Sequence, residues 1–129
     1  INSEAIEKAQ KGLFSERSLH KLDQRLKEKF FTQEDRFYRA KREYFSSISF
    51  TKVNIFEHEF LSLGKFDIIF SRNMLIYFDD DFRLKTIERF ATLLKPEGKL
   101  FLGHADIIPE NPYFIKHTDH RLSYYVKKS

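Results

Sequence analysis

Ser71-Arg72-Asn73, with Tyr77 four residues further on, follows directly on the apolar run Phe66-Asp-Ile-Ile-Phe70. A guanidinium, a carboxamide and a phenol at the end of an apolar strand are groups that can grip a carboxylate or orient a polar ligand. In open α/β sheets, ligands sit just beyond the carboxyl ends of the strands. The sequence offers three such ends: Asn54-Ile55, Ser71-Arg72-Asn73 and Gly103-His104-Ala105-Asp106. Each residue also has a plain structural use. Arg72 can serve a surface ion pair, Asn73 a turn, and Tyr77 a core whose edge keeps one hydroxyl wet. His104 has no acidic partner that the sequence assigns and reads as a structural histidine. His20, His58, His117 and His120 do not group at metal-ligand spacing, so no metal site is expected.

Those residues need a sheet to position them. A chain of 129 residues fits one domain, with room for a small appendage. Apolar residues make up 41% and charged residues 33%, the balance of a globular rather than a disordered chain. No apolar run approaches the roughly 20 residues that span a bilayer. With no cysteine, disulfides, thiolate zinc sites and thiol nucleophiles are excluded together, as suits a reducing compartment. The four glycines (Gly12, Gly64, Gly98, Gly103) make up neither a G-x-G-x-x-G nor a G-x-x-x-x-G-K loop for dinucleotide or phosphate. The chain opens without Met, and Ile1 to Ile6 reads as a strand end running into a capped helix. That pattern suits an internal piece of a longer protein, and nothing resembles a signal peptide.

Asn2 or Ser3 is expected to cap a first helix that carries Ile6 and Ala9 on one face and ends at Gly12. Leu19, Leu22 and Leu26 at i, i+3 and i+7 predict a second helix over Glu16–Lys29. Lys29–Gln33 and Phe37–Lys41 follow as two short strands around the turn Glu34-Asp35-Arg36. Ser49–Asn54 alternates like a half-buried strand. Phe66–Phe70 reads as a strand buried on both faces of a parallel sheet. Asp79-Asp80-Asp81 starts a helix bearing Ile87, Phe90, Ala91 and Leu94, which Lys95-Pro-Glu-Gly98 stops. Lys99–Gly103 is then a second buried strand, making a βαβ unit with parallel strands. Tyr113–Lys116 and Leu122–Lys127 close the chain as a hairpin.

Residues 1–47 hold eleven basic and eight acidic side chains, and residues 48–129 hold twelve and eleven. The basic excess is densest in Arg36, Arg39, Lys41 and Arg42, interleaved with Phe37 and Tyr38. Such a run suits a solvated strand face, an acidic protein partner or nucleic acid.

The stretch Phe66-Asp-Ile-Ile-Phe-Ser-Arg-Asn-Met-Leu-Ile-Tyr-Phe-Asp79, with Leu93-Leu-Lys-Pro-Glu-Gly-Lys-Leu-Phe-Leu-Gly-His104 after it, resembles the catalytic domain of CheR-type chemotaxis receptor methyltransferases. The match continues upstream. Ala5–Gly12 is similar to the helix after that family's second strand, Phe37–Lys41 to a strand of its small β-subdomain, and Phe50–Ile55 to its third strand. The resemblance implies an α/β, Rossmann-like methyltransferase sheet that uses S-adenosylmethionine and lacks its first strands here. It divides the chain into a core helix (1–11), a small inserted helix-plus-hairpin subdomain (12–47) and the C-terminal part of the core (48–129).

By the same resemblance, Asn54, Ile55, Arg72 and Asn73 bind the cofactor, and Arg72 and Tyr77 lie at the methyl-transfer site. The charge pattern, rather than the resemblance, leads to the expectation that Arg36, Arg39, Lys41 and Arg42 serve partner binding, by docking on an acidic receptor segment. The implied reaction methylates glutamate side chains on the cytoplasmic signalling region of chemoreceptors, leaving S-adenosylhomocysteine, in the cytoplasm and with no membrane insertion or nucleic acid. The family's glycine motif and the acid ending its second strand would precede Ile1. The usual Gly-His-Ser-Glu reads Gly103-His104-Ala105-Asp106 in this chain, with an altered serine and a shortened acid. Residues 1–129 alone are therefore expected to bind cofactor weakly and to self-associate through an unpaired sheet edge.

A glutamate carboxylate, with an ordinary pKa of about 4.3, is already ionised at neutral pH, so transfer of an activated methyl needs no general base. The site must instead position the nucleophile in line and strip water from it. Two other readings compete: a non-catalytic CheR-like signalling module, which gives no reason for the combination of Arg72, Asn73 and Tyr77, and a nucleic-acid methyltransferase anchored by Arg36–Arg42, which would want an N-P-P-Y or D-P-P-Y type motif.

Overall fold

Asn2 caps the first helix, α1 (Ser3–Lys11), by accepting the Ala5 N–H with its side-chain oxygen at 3.2 Å. Gly12 ends it in the left-handed region at φ 65°, where a residue without Cβ is favoured, and donates its N–H to Ala9 O. Both caps fall where the sequence places them. The computed structural model describes residues 2–128, so the strand end expected at Ile1 lies outside the described residues. The chain divides into two units between Lys52 and Val53, with α1 in the first.

In the first unit, β1 (Leu13–Ser15), β2 (Phe31–Glu34) and β3 (Phe37–Ala40) form an antiparallel sheet in the order β1-β3-β2. Ala40 faces Phe31 and Arg39 faces Leu13. The β2–β3 hairpin stands as expected, turning through Asp35 in the left-handed region. Its packing is aromatic: Phe14 meets Phe31 edge-on at 5.7 Å and Phe30 meets Tyr44 of α3 (Arg42–Phe45) at 4.9 Å.

The continuous helix over Glu16–Lys29 does not form. A short 3₁₀ turn (Arg17–Leu19) buries Leu19, the Ser15 and Ser18 hydroxyls bond each other, and a new helix, α2 (Gln24–Phe30), starts only at Asp23. The Asp23 carboxylate accepts the Arg25 N–H at 2.8 Å. Side-chain caps of this kind compete with helix continuation and split a leucine spacing that would otherwise read as one helix.

The second unit is a four-stranded mixed sheet in the order β4-β5-β7-β6. β4 (Phe66–Ser71) runs parallel to β5 (Leu94–Leu102), joined by α4 (Asp80–Leu93). Asp79 caps α4 through the Phe82 N–H at 3.0 Å, with Asp80 and Asp81 in the first turn. β6 (Phe114–Asp119) and β7 (Leu122–Lys127) form the terminal hairpin, and β7 pairs antiparallel with β5. Ile87, Phe90, Ala91 and Leu93 of α4 pack with Leu94, Leu100, Phe114, Phe60 and Leu75 in one core. Parallel β4 and β5 with a helical crossover are the βαβ unit that the sequence predicts, and they give the chain its Rossmann-like α/β character.

Three strand expectations need correction. β5 begins at Leu94 rather than Lys99, so Leu94 leaves the helix face and Lys95–Gly98 lies within the strand. Ser49–Asn54 is not a strand: its alternation is real, but no ladder partner exists for it among the described residues, and Asn54 folds into a turn. β4 is not buried on both faces. Among the described residues it pairs with β5 alone, and while Ile69 joins the core, Ile68 is 49% and Phe70 69% exposed. On that open face Phe70, Phe101 and Tyr124 stack in a row at 5.0 and 5.5 Å across three strands. Among the described residues no helix is long and apolar enough to cross a membrane.

Candidate active site at the ends of β4 and β5

The chain leaves β4 at Arg72 and turns at Asn73, whose φ of 61° is a left-handed conformation that asparagine tolerates better than most residues. It then makes a 3₁₀ turn over Leu75–Tyr77, closed by Tyr77 N–H to Met74 O and Phe78 N–H to Leu75 O. Leu75 is 0% exposed and ties the loop into the core. Arg83 of α4 holds it from the other side, donating from Nε to Leu75 O at 3.0 Å and pairing with Asp80 at 3.6 Å. Phe56, Phe78 and Phe82 form an aromatic cluster with ring separations of 5.4 to 6.5 Å where the loop meets α4.

The backbone is thus held while the side chains of interest stand outside it. Arg72 and Asn73 are exposed and Tyr77 is 80% exposed. Among the described residues the Arg72 guanidinium and the Tyr77 hydroxyl have neither a hydrogen bond nor an ion pair. The structural uses that the sequence left open for them, an ion pair and a core aromatic, are not the ones adopted.

The strand ends are joined by a residue the sequence reading left without a role. Asp106 is 6% exposed, and its Oδ2 accepts the N–H groups of Asn73 and Gly103, both at 2.8 Å. Its Oδ1 accepts the Ile76 N–H at 3.2 Å. One carboxylate therefore pins the loop after β4 to the loop after β5. Gly103 makes the approach geometrically feasible: a Cβ there would lie 2.6 Å from Asp106 Oδ2 and 2.8 Å from Asn73 Oδ1. The sequence signal was the acid three residues after a glycine at a strand end, but two of its three partners, Asn73 and Ile76, lie some thirty residues away along the chain.

Asn54 accepts the Phe56 N–H with its side-chain oxygen at 2.9 Å, and Ile55 packs against the core. The turn leaves the Asn54 amide N–H₂ available as a donor. His104 is exposed. An open cleft of about 860 Å³ runs from His104 and Asp106 past Pro109 to Tyr125 and Lys128, and burial pushes the Tyr125 phenol up. The Ser71 hydroxyl, directly before Arg72, is buried with no hydrogen-bond partner among the described residues. An unpaired buried hydroxyl costs about 1–3 kcal/mol, so this one marks a place where a polar group is wanted.

The basic hairpin belongs to the first unit. Arg39 donates from Nε to Glu34 at 2.9 Å, and that hydrogen bond and charge hold its pKa further above its ordinary value. Lys41 donates to Glu28 O at 3.0 Å. Arg36 and Arg42 are exposed and make no side-chain pair among the described residues. The four cations are therefore two engaged and two free.

Residues 1–123 match the sequence profile of the family described as "CheR methyltransferase, SAM binding domain". The chain belongs to the CheR methyltransferase family. It is 46% identical over 128 residues to the chemotaxis protein methyltransferase of Campylobacter jejuni subsp. jejuni, covering 98% of this chain and 49% of that protein. It is also similar to the chemotaxis protein methyltransferases of Salmonella typhimurium (34%) and Escherichia coli (32%), each match covering 82% of this chain and 38% of the relative. The chain thus spans at most about half the length of these relatives. The family description names an S-adenosylmethionine-binding domain. The donor set fits such a ligand: a free guanidinium, a carboxamide and an orphaned hydroxyl at a strand end suit the carboxylate of an amino-acid moiety.

Proposed function

We propose that this chain is part of a longer enzyme that transfers a methyl group from S-adenosylmethionine to glutamate side chains of chemoreceptors, forming methyl esters. The observation that carries the reading is the loop after β4, a backbone held by Asp106, Leu75 and Arg83 that presents Arg72 and Tyr77, unpaired among the described residues, at the carboxyl end of a parallel strand. The relatives named chemotaxis protein methyltransferase support the choice of receptor as substrate.

When bound, S-adenosylmethionine supplies a sulfonium-activated methyl group. Asn54, Ile55 and Asn73 would hold it, Arg72 would line both it and the substrate carboxylate, and residues 12–47 are read as a subdomain inserted in the sequence of the core. Arg72 can fork two N–H donors onto the receptor carboxylate and Tyr77 can orient one of its oxygens. Too tight a grip would dull the nucleophile, which favours exposed, singly anchored side chains over a buried ion pair. The cytoplasmic signalling region of a chemoreceptor is the partner, which places the reaction in the cytoplasm. Calorimetry tests cofactor use: the longer enzyme binds S-adenosylmethionine, whereas residues 1–129 alone bind it weakly and self-associate through the β4 edge. Micromolar binding by a monomer of residues 1–129 contradicts that division of labour.

The hairpin cations are assigned to receptor docking, chiefly through association rate. Replacing Arg36, Arg39, Lys41 and Arg42 together with Gln weakens receptor binding most at low salt, and Arg36 and Arg42, the two without partners, account for most of the loss. Binding measured across ionic strengths checks this; unchanged affinity at low salt returns the run to a solvated face.

A further inference from the structure

We propose that Asp106 is a positioning residue for methyl transfer, holding the loop that bears Arg72, Asn73 and Tyr77 in register with the end of β5. The proposal rests on the methyltransferase reading above and adds to it a group that does not itself meet the substrate.

Asp106 is buried, and among the described residues every hydrogen bond its side chain makes is to a backbone N–H of a strand-end loop: Asn73 and Ile76 after β4, Gly103 after β5. A surface carboxylate kept for solubility would not face three converging amides. A carboxylate meets three donors with acceptors only. An asparagine in its place keeps one oxygen but turns an N–H₂ toward backbone N–H groups that want an acceptor. The side chain size hardly changes, so the core need not.

What changes is the angle at which the loop leaves β4. Leu75 and Arg83 still anchor the middle of the loop, so its Asn73 end is the part released. Arg72 and Asn73 sit at that end. Displacement of a positioned group by about 1 Å costs on the order of 100-fold in rate, and the effect falls on turnover rather than on substrate affinity when the displaced groups act on orientation.

The experiment uses the longer enzyme with S-adenosylmethionine and a chemoreceptor cytoplasmic fragment. Turnover is expressed per folded molecule after thermal melts, for wild type, Asp106→Asn and Asp106→Glu. Asp106→Asn is expected to lose roughly 30-fold or more in kcat, with the receptor KM within about threefold of wild type and the cofactor Kd raised by a clearly smaller factor than kcat falls. Asp106→Glu, which keeps an acceptor-only head, is expected to recover most of the loss. A merely structural role would lower the folded fraction and leave kcat per folded molecule unchanged, and that result overturns the proposal.

Should Asp106→Asn fail to fold, amide hydrogen exchange on the wild type decides. The Asn73, Ile76 and Gly103 amides are expected to be protected to the degree of Leu100 in β5, and fast exchange there overturns the clamp. A wild-type enzyme that binds cofactor and receptor yet methylates nothing overturns the function reading instead. Protected amides would then still support Asp106 as the clamp of the loop.

Discussion

In the longer enzyme, Arg72→Ala is expected to lose on the order of a hundredfold in single-turnover methyl transfer, about 3 kcal/mol of transition-state stabilisation. Cofactor affinity should fall much less. The reason is local: Arg72 leaves β4 on a backbone held by Asp106, and its guanidinium has no partner among the described residues to which a structural role could be credited. Tyr77→Phe should cost less, because only a hydroxyl is lost from a side chain that is 80% exposed. Single-turnover rates set against equilibrium cofactor binding for both variants make the comparison. If Arg72→Ala loses rate and cofactor affinity in equal proportion, Arg72 holds the cofactor and does not act on the receptor carboxylate.

The largest stability effect expected is at Leu75. It lies between Arg72 and Tyr77 in sequence, yet it is fully buried with Ile87, Phe90 and Leu100 in the core. Leu75→Ala should destabilise by about 3 kcal/mol or more through lost burial and the cavity left behind. Ile76→Ala, one residue along but 36% exposed, should cost about 1 kcal/mol or less. Urea unfolding of the two variants measures the contrast, and equal small losses would mean that the loop is not rooted in the core. The pairing matters for function because the same short turn both anchors the fold and presents the side chains proposed for chemistry.

The features legible in the sequence were those set by local chemistry. Asn2 and Asp79 read as caps because their short side chains reach the N–H groups three residues on, and Gly12 read as a stop because its backbone is left-handed. The β2–β3 and β6–β7 hairpins, and the parallel β4 and β5 with their crossover helix, followed from alternation, turn residues and element length. What failed depended on partners. Leu19, Leu22 and Leu26 share a helical spacing, but the Ser15–Ser18 pair and the Asp23 cap interrupt the helix. The three-residue β1 was too short to show an alternation of its own. Ser49–Asn54 alternates without a ladder to join, and Phe66–Phe70 is apolar although one of its faces is open.

The site divides the same way. Arg72, Asn73 and Tyr77 were visible as chemistry at a strand end. Asp106 was visible only as a shortened acid, because its meaning lies in three amides contributed by two loops that only the fold brings together. The split of the basic cluster into engaged Arg39 and Lys41 and free Arg36 and Arg42 is likewise a product of side-chain geometry.

The most direct test of glutamate methylation follows a labelled methyl group from S-adenosylmethionine onto a chemoreceptor cytoplasmic fragment, using the longer enzyme that carries this chain. A glutamate methyl ester is cleaved by mild base and releases volatile methanol. Receptor-bound label that is lost to base as methanol is expected, and it is expected to form about a hundredfold more slowly with Arg72→Ala. Receptor binding without any transfer of label, or label that survives base, would contradict glutamate methylation.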